Sequence, residues 1–150
     1  MNQVSHVSSI MSKHLITLSP DDDLTVVKDV FEKNSFHHLP IVIDNKPVGI
    51  ISRSGFKGYL TALKQHFEEG FIMDVILKNK KVSEIMTKKL AKVQPEDSIG
   101  VALQAFSKNI VHSLLVVEKE ELVGIITTHD VISFVAKEKI NDIDYKNVSV

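Results

Sequence analysis

Residues 7–56 can be laid over residues 82–131 of the same chain without a gap, and 19 of those 50 positions carry the same residue. The identities are spread along the whole register: Val7, Ser8, Ile10 and Met11 with Val82, Ser83, Ile85 and Met86, Pro20 and Asp22 with Pro95 and Asp97, Phe31 with Phe106, His37 with His112, and Val48 to Ile51 with Val123 to Ile126. An internal duplication this regular means that one supersecondary unit is built twice. Each unit is too short to cover both faces of a small sheet, so the two are expected to pack as one module.

Within each copy the order reads strand, helix, strand, strand, helix. An apolar opening, VSSIMS or VSEIMT, precedes a brief strand at Ile16 to Leu18 or Ala91 to Val93. Pro20 and Pro95 end that strand, and the acids after them suit a helix N-terminus. Leu24, Val27, Val30 and Phe31 recur at helical spacing in the first copy, and Ile99, Ala102, Leu103 and Phe106 do so in the second, so both faces are expected in the core. The runs Leu39 to Ile43 and Leu114 to Val117 are short buried strands, and the polar stretches Asp44 to Lys46 and Glu118 to Glu121 turn the chain back. The strands VGIIS and VGIIT follow, with a second helix expected from near Val131 to near Asn141.

Between the copies, Phe56, Tyr59, Leu60, Leu63 and Phe67 share one helical face, Gly70 is the expected stop, and Phe71 to Leu77 reads as a second short helix. The expected division is repeat 1 over 4–69, a linker with helix over 70–81, repeat 2 over 82–140, and a polar tail over 141–150.

Composition narrows the function. With 43% apolar and 25% charged residues the chain is globular, and its formal net charge of -1 argues against a nucleic-acid binder. The absence of cysteine removes disulfides, thiolate catalysis and cysteine-type metal sites. No segment approaches the length of a membrane span and the N-terminus lacks the features of a signal peptide, so a cytoplasmic protein is expected.

No catalytic constellation is visible. The serines lack a G-x-S-x-G elbow, there is no P-loop or dinucleotide-binding glycine pattern, and the seven histidines lack metal-ligand spacing. What remains is the repeated strand end, VGIITTHD against VGIISRSG. Thr127 and Asp130 bring oxygens to a strand-to-helix boundary, where anions and nucleotides commonly sit; the same pair also reads as a helix cap.

These phrases, with TLSPDDDL and KVQPEDSI and with FHHLPIV and VHSLLVV, resemble the paired CBS domains, or Bateman module, over about residues 4 to 137. The resemblance implies an α/β (α+β) tandem pair whose two small sheets pack with pseudo-two-fold symmetry and leave two clefts. It implies a stand-alone, non-enzymatic regulatory module that binds AMP, ADP or ATP in the cleft between repeats. S-adenosylmethionine or NAD sensing and a partner-binding pair without nucleotide are the alternatives. A homodimer is expected, acting on an enzyme or transporter in trans, with neither nucleic acid nor membrane insertion involved.

The family's ribose-binding pattern of Gly, two apolar residues, Ser or Thr, two variable positions and Asp is met by Gly124, Thr127 and Asp130. The resemblance thus implies Asp130 for the ribose hydroxyls, Thr127 for phosphate or ribose oxygen, and His129 for phosphate. In repeat 1 Ser52 is kept but Gly55 replaces the acid, which leaves Arg53 to serve phosphate. The resemblance also implies phosphate or base contacts from His37, His38, His112, Thr17 and Lys92, and adenine contacts from Ile16, Pro40 and Ala91. Each has a plainer alternative as a strand, surface or capping residue, and the cleft holding Thr127 and Asp130 is expected to be the stronger site.

Overall fold

The structure, a computed structural model, describes residues 5–67 and 72–139. The expected stop at Gly70, the start of the short helix at Phe71, the fading near Asn141 and the tail over 141–150 lie outside the described residues. In chain order the elements are a 3-10 turn Val7–Ser9, α1 Leu24–Lys33, β1 His38–Ile43, β2 Lys46–Ser52, α2 Arg53–His66, α3 Met73–Lys78, α4 Val82–Ile85, β3 Lys92–Val93, α5 Ile99–Ser107, β4 Ser113–Glu118, β5 Glu121–Thr127 and α6 Thr128–Lys139. The mixed α/β class expected from the duplication is present, with one two-stranded sheet (β1-β2) and one three-stranded sheet (β3-β4-β5).

The same local chemistry makes the same corners in both copies. Asp22 Oδ2 accepts the Ser19 amide at 2.8 Å, and Asp97 Oδ2 accepts the Gln94 amide at 2.7 Å, so each Pro-x-Asp phrase is a closed turn. Both hairpins turn on two residues of positive φ, Asp44 (49°) and Asn45 (63°) in one, Lys119 (49°) and Glu120 (67°) in the other. That pair of left-handed residues matches the right-handed twist of the flanking strands.

One expected strand is reduced. Lys92 and Val93 of β3 run parallel to Leu115 and Val116 of β4, and the Leu115 amide donates to Ala91 O at 3.0 Å. In the first copy only Leu18 bridges, to Ile41, through Leu18 N to Pro40 O (3.1 Å) and Val42 N to Leu18 O (2.9 Å). Pro40 stands where Leu115 stands and has no N–H, so the bond that would extend the strand back to Ile16 cannot form.

The chain divides into two compact units, and these are out of phase with the repeats. One, the Asp130 unit, contains 5–13, 91–118 and 123–139 of the described residues; the other, the Arg53 unit, contains 14–67, 72–90 and 119–122. The opening segment of each repeat therefore belongs with the strands of the other repeat. In the Asp130 unit Ser12 and Ile125 exchange two backbone hydrogen bonds, of 2.9 and 3.0 Å; in the Arg53 unit Thr87 and Ile50 do the same, at 2.9 and 3.0 Å.

Each exchange requires a glycine. A Cβ on Gly124 would lie 2.6 Å from Met11 Sδ and 3.1 Å from Ser12 O, and one on Gly49 would lie 2.4 Å from Met86 Sδ. Each unit has its own core: Leu18, Leu24, Val27, Phe31, Leu39, Ile41, Ile51, Phe56, Leu77 and Val82 in the Arg53 unit, and Val7, Val93, Ile99, Ala102, Leu114, Val116, Ile126 and Val131 in the Asp130 unit. Tyr59, Leu60 and Leu63 of the aromatic stripe also pack on the first of these cores.

Candidate functional site

In the Asp130 unit the strand-to-helix boundary falls at Thr127, and α6 starts at Thr128, three residues earlier than its apolar pattern indicates. The cause is a reciprocal cap. Asp130 Oδ2 accepts both the Thr127 amide and the Thr127 hydroxyl at 2.8 Å, and Thr127 Oγ1 accepts the Asp130 amide at 3.3 Å. Both side chains are half-buried. The other carboxylate oxygen, Oδ1, makes no hydrogen bond among the described residues. A carboxylate held by one oxygen and available through the other can accept from a neutral hydroxyl donor without breaking the cap.

The rest of the junction assembles through the backbone. The Thr128 amide donates to His112 O at 3.2 Å, which ties the start of α6 to the residue before β4. Ala91 and Lys92 lie along β4 at Leu115. Lys92, His112 and His129 are exposed, and His129 Nε2 lies 3.4 Å from Ser133 Oγ one turn along α6. Gly124 is buried, and its lack of a side chain serves the approach of Met11.

The Arg53 unit repeats the framework with different chemistry. Ser52 caps α2, its Oγ accepting the Gly55 amide at 3.0 Å, and the Arg53 amide donates to His37 O at 2.8 Å. The phosphate role expected of Arg53 is not the one its contacts describe. Nε donates to Phe36 O (3.0 Å), Nη1 to Phe31 O (2.7 Å), and Nη2 to Asn34 O (2.5 Å) and Phe36 O (2.8 Å). The guanidinium carbon also stands 5.0 Å from the centre of the Phe31 ring. Arg53 closes the C-terminal end of α1.

Pro40, expected beside adenine, is fully buried, with its carbonyl on Leu18 N. Ile16 and His37 are exposed, Thr17 is half-buried, and His38 is half-buried opposite Ser52 in the hairpin register. Among the described residues no group of three or more histidines and carboxylates could hold a metal ion. The carbonyls that receive Arg53 carry no sequence signature; the one available signal was an arginine where the other copy has Thr128.

The model of the CBS domain family matches residues 7–61 and 82–137. An inosine-5'-monophosphate dehydrogenase of Methanocaldococcus jannaschii is 32% identical over 131 residues, which is 86% of this chain and 23% of that enzyme; the chain thus spans about a quarter of such relatives. The uncharacterized protein MJ1426 of the same organism is 30% identical, with 87% of this chain and 90% of that protein covered. Among solved structures, the CBS domain pair of protein MJ0100 in complex with 5'-methylthioadenosine and S-adenosyl-L-methionine matches with a TM-score of 0.73 at 25% identity, covering 91% of this chain and all (100%) of the other. A proposed acetoin utilization protein of Vibrio cholerae matches with a TM-score of 0.78 at 24% identity, covering 95% and 100%.

Proposed function

Because this chain belongs to the CBS domain family, we propose that it is a non-enzymatic sensing module that binds an adenine nucleotide at the Thr127–Asp130 junction and reports it to an enzyme or transporter. The observation that carries this reading is the half-held carboxylate of Asp130, with Oδ2 bound by the cap and Oδ1 available to ribose hydroxyls. Lys92, His112 and His129 are assigned to the phosphate end, and Ala91 to the adenine. A second reading, S-adenosylmethionine in the same place, is favoured by the MJ0100 pair, which is in complex with that ligand. Both ligands present the adenosine ribose that Asp130 is assigned to receive.

Calorimetric titration with AMP, ADP, ATP, S-adenosylmethionine and NAD tests the proposal. Binding of at least one adenosine ligand, weakened by Asp130→Asn, supports it; no heat with any of them leaves a partner-binding pair without nucleotide. The module is also assigned a homodimer. Most of the α2 stripe packs inside its own unit, while Ile72 (65% exposed) and Val75 (50%) at α3, expected in the dimer surface, stay open, as do Ile132 (66%) and Val135 (37%) one turn apart on α6; the α6 pair is the one assigned to a second copy. Sedimentation should find a dimer that Ile132→Asp disperses; a monomeric parent protein removes this assignment. No helix of the described residues is long and apolar enough to cross a membrane.

A further inference from the structure

We infer that the Ser52–Gly55 junction is a structural clamp closed to anionic ligands, with Arg53 as its positioning residue, so that each chain takes one adenosine ligand and not two. The count of one rests on the reading of the Thr127–Asp130 junction proposed above; the clamp itself does not.

Arg53 has five N–H donors and four hydrogen bonds, all to main-chain carbonyls of the segment from Phe31 to Phe36. Carbonyls at a helix C-terminus have no partner within the helix and must find one elsewhere. Turning the guanidinium toward a phosphate would strip three carbonyls of their donor and lift the cation off the Phe31 ring at the same time. The backbone N–H of Arg53 is committed as well, to His37 O. One residue thus ties the end of α1, the connection to β1 and the start of α2.

The other copy closes the same helix end without a cation. Asn109 adopts a left-handed φ of 54° after α5, and its amide donates to Phe106 O at 2.9 Å. Thr128, which stands where Arg53 does, is released from that duty. Of the three positions at which the junctions differ in chemistry, Ser54 stands for His129, while Arg53 for Thr128 and Gly55 for Asp130 together remove the ribose acceptor and commit the cation. Restoring the acid is sterically feasible: a Cβ on Gly55 would meet only the Ser52 hydroxyl oxygen, at 2.8 Å, and lengthening the 3.0 Å cap toward the 3.3 Å seen between Asp130 N and Thr127 Oγ1 relieves it.

The decisive experiment compares stoichiometry and stability in the full chain, with AMP and S-adenosylmethionine as the probes. The parent protein should bind one equivalent per chain. Arg53→Lys keeps the charge but not the planar fork, so it should lower Tm by about 5 °C, speed amide exchange over residues 34–37, and leave affinity within about twofold. An anion site would instead keep its Tm and lose an equivalent. The double variant R53T/G55D should gain a second equivalent, and G55D alone should not. Two equivalents in the parent protein, an Arg53→Lys variant of unchanged Tm and exchange, or a folded double variant still at one equivalent each overturn the inference. If the parent protein binds neither probe, the count is read with ADP, ATP or NAD; if none of these binds, the nucleotide reading fails, while the Tm and amide exchange of Arg53→Lys still decide the clamp.

Discussion

The two strand-to-helix junctions have the same backbone and opposite chemistry. In both, a Ser or Thr caps the following helix, and the first helical residue donates its amide to a histidine carbonyl, His37 in one and His112 in the other. At Thr127–Asp130 one carboxylate oxygen holds the cap and the other makes no hydrogen bond among the described residues; at Ser52–Gly55 the acid is missing and the one cation is spent on main-chain carbonyls. A duplicated fold preserves the bonds that define its shape and releases the rest. Within a repeat family, function belongs to the few side chains that the backbone does not need.

The largest effect expected from breaking this contrast is on affinity. Asp130→Asn keeps an oxygen for the cap but removes the charge, so nucleotide binding should fall by about 10- to 150-fold, the equivalent of about 1.5–3 kcal/mol for a hydrogen bond to a charged group. Tm should change little, because the cap survives. Asp130→Ala should show both losses, with about 1 kcal/mol of stability lost along with the cap. Equal affinity of the parent protein and Asp130→Asn, measured by calorimetry, would reduce Asp130 to a cap.

Next in size is a test of the exchanged opening segments. Gly124→Ala and Gly49→Ala each force a methyl into a methionine, at a cost of about 1–3 kcal/mol typical of overpacking. The two should respond differently to relief. Around Gly49 the three nearest atoms all belong to the Met86 side chain, so Met86→Ala should restore most of the loss in a denaturation series. Around Gly124 the Ser12 carbonyl stands at 3.1 Å and is pinned by its pairing with Ile125, so Met11→Ala should restore only part. Full rescue in both would mean that the backbone yields more readily than its hydrogen bonds imply.

What was legible in the chain follows the range of the forces involved. The hairpins and the core face of α1 depend on residues within a few positions of one another, and each was readable; on α5 one residue of the face was misread, since Leu103 is 44% exposed and Ala105 packs on the core instead. The exchange of the opening segments was not legible, because Ser12 meets Ile125 through backbone atoms that every residue possesses, at a separation no periodicity records. The contacts of Arg53 were illegible for the same reason: its partners are carbonyls. Pro40 was readable in principle, since a strand residue without an N–H must interrupt pairing on that side, and it is the residue that limits the first strand to a bridge at Leu18. At Thr127–Asp130 the cap occupies Oδ2 alone, so it does not exclude the ligand role proposed for Asp130.

The smallest expected effect separates the first helices of the two copies. Asp23 caps α1, accepting the Thr25 amide at 2.9 Å and the Thr25 hydroxyl, whereas Ser98 at the head of α5 makes no side-chain capping bond. The Thr25 hydroxyl, first among the causes, holds the Asp23 carboxyl below its ordinary value of 3.8; desolvation opposes it, and the Thr25 and Val26 amides and Lys78 assist. A carboxyl whose folded pKa lies below its unfolded one contributes stability that is fully present above the unfolded value and is lost as pH falls through the folded value. The Tm difference between the parent protein and Asp23→Ser should therefore be flat from pH 7 to about 5 and shrink only below about 4, where the unfolded chain begins to take up the proton. Ser98→Ala should show no such slope at any pH, because no carboxylate takes part. A difference that stayed constant through pH 3 would mean that Asp23 caps α1 equally well protonated, and the contrast between the two helix starts would then be one of shape alone.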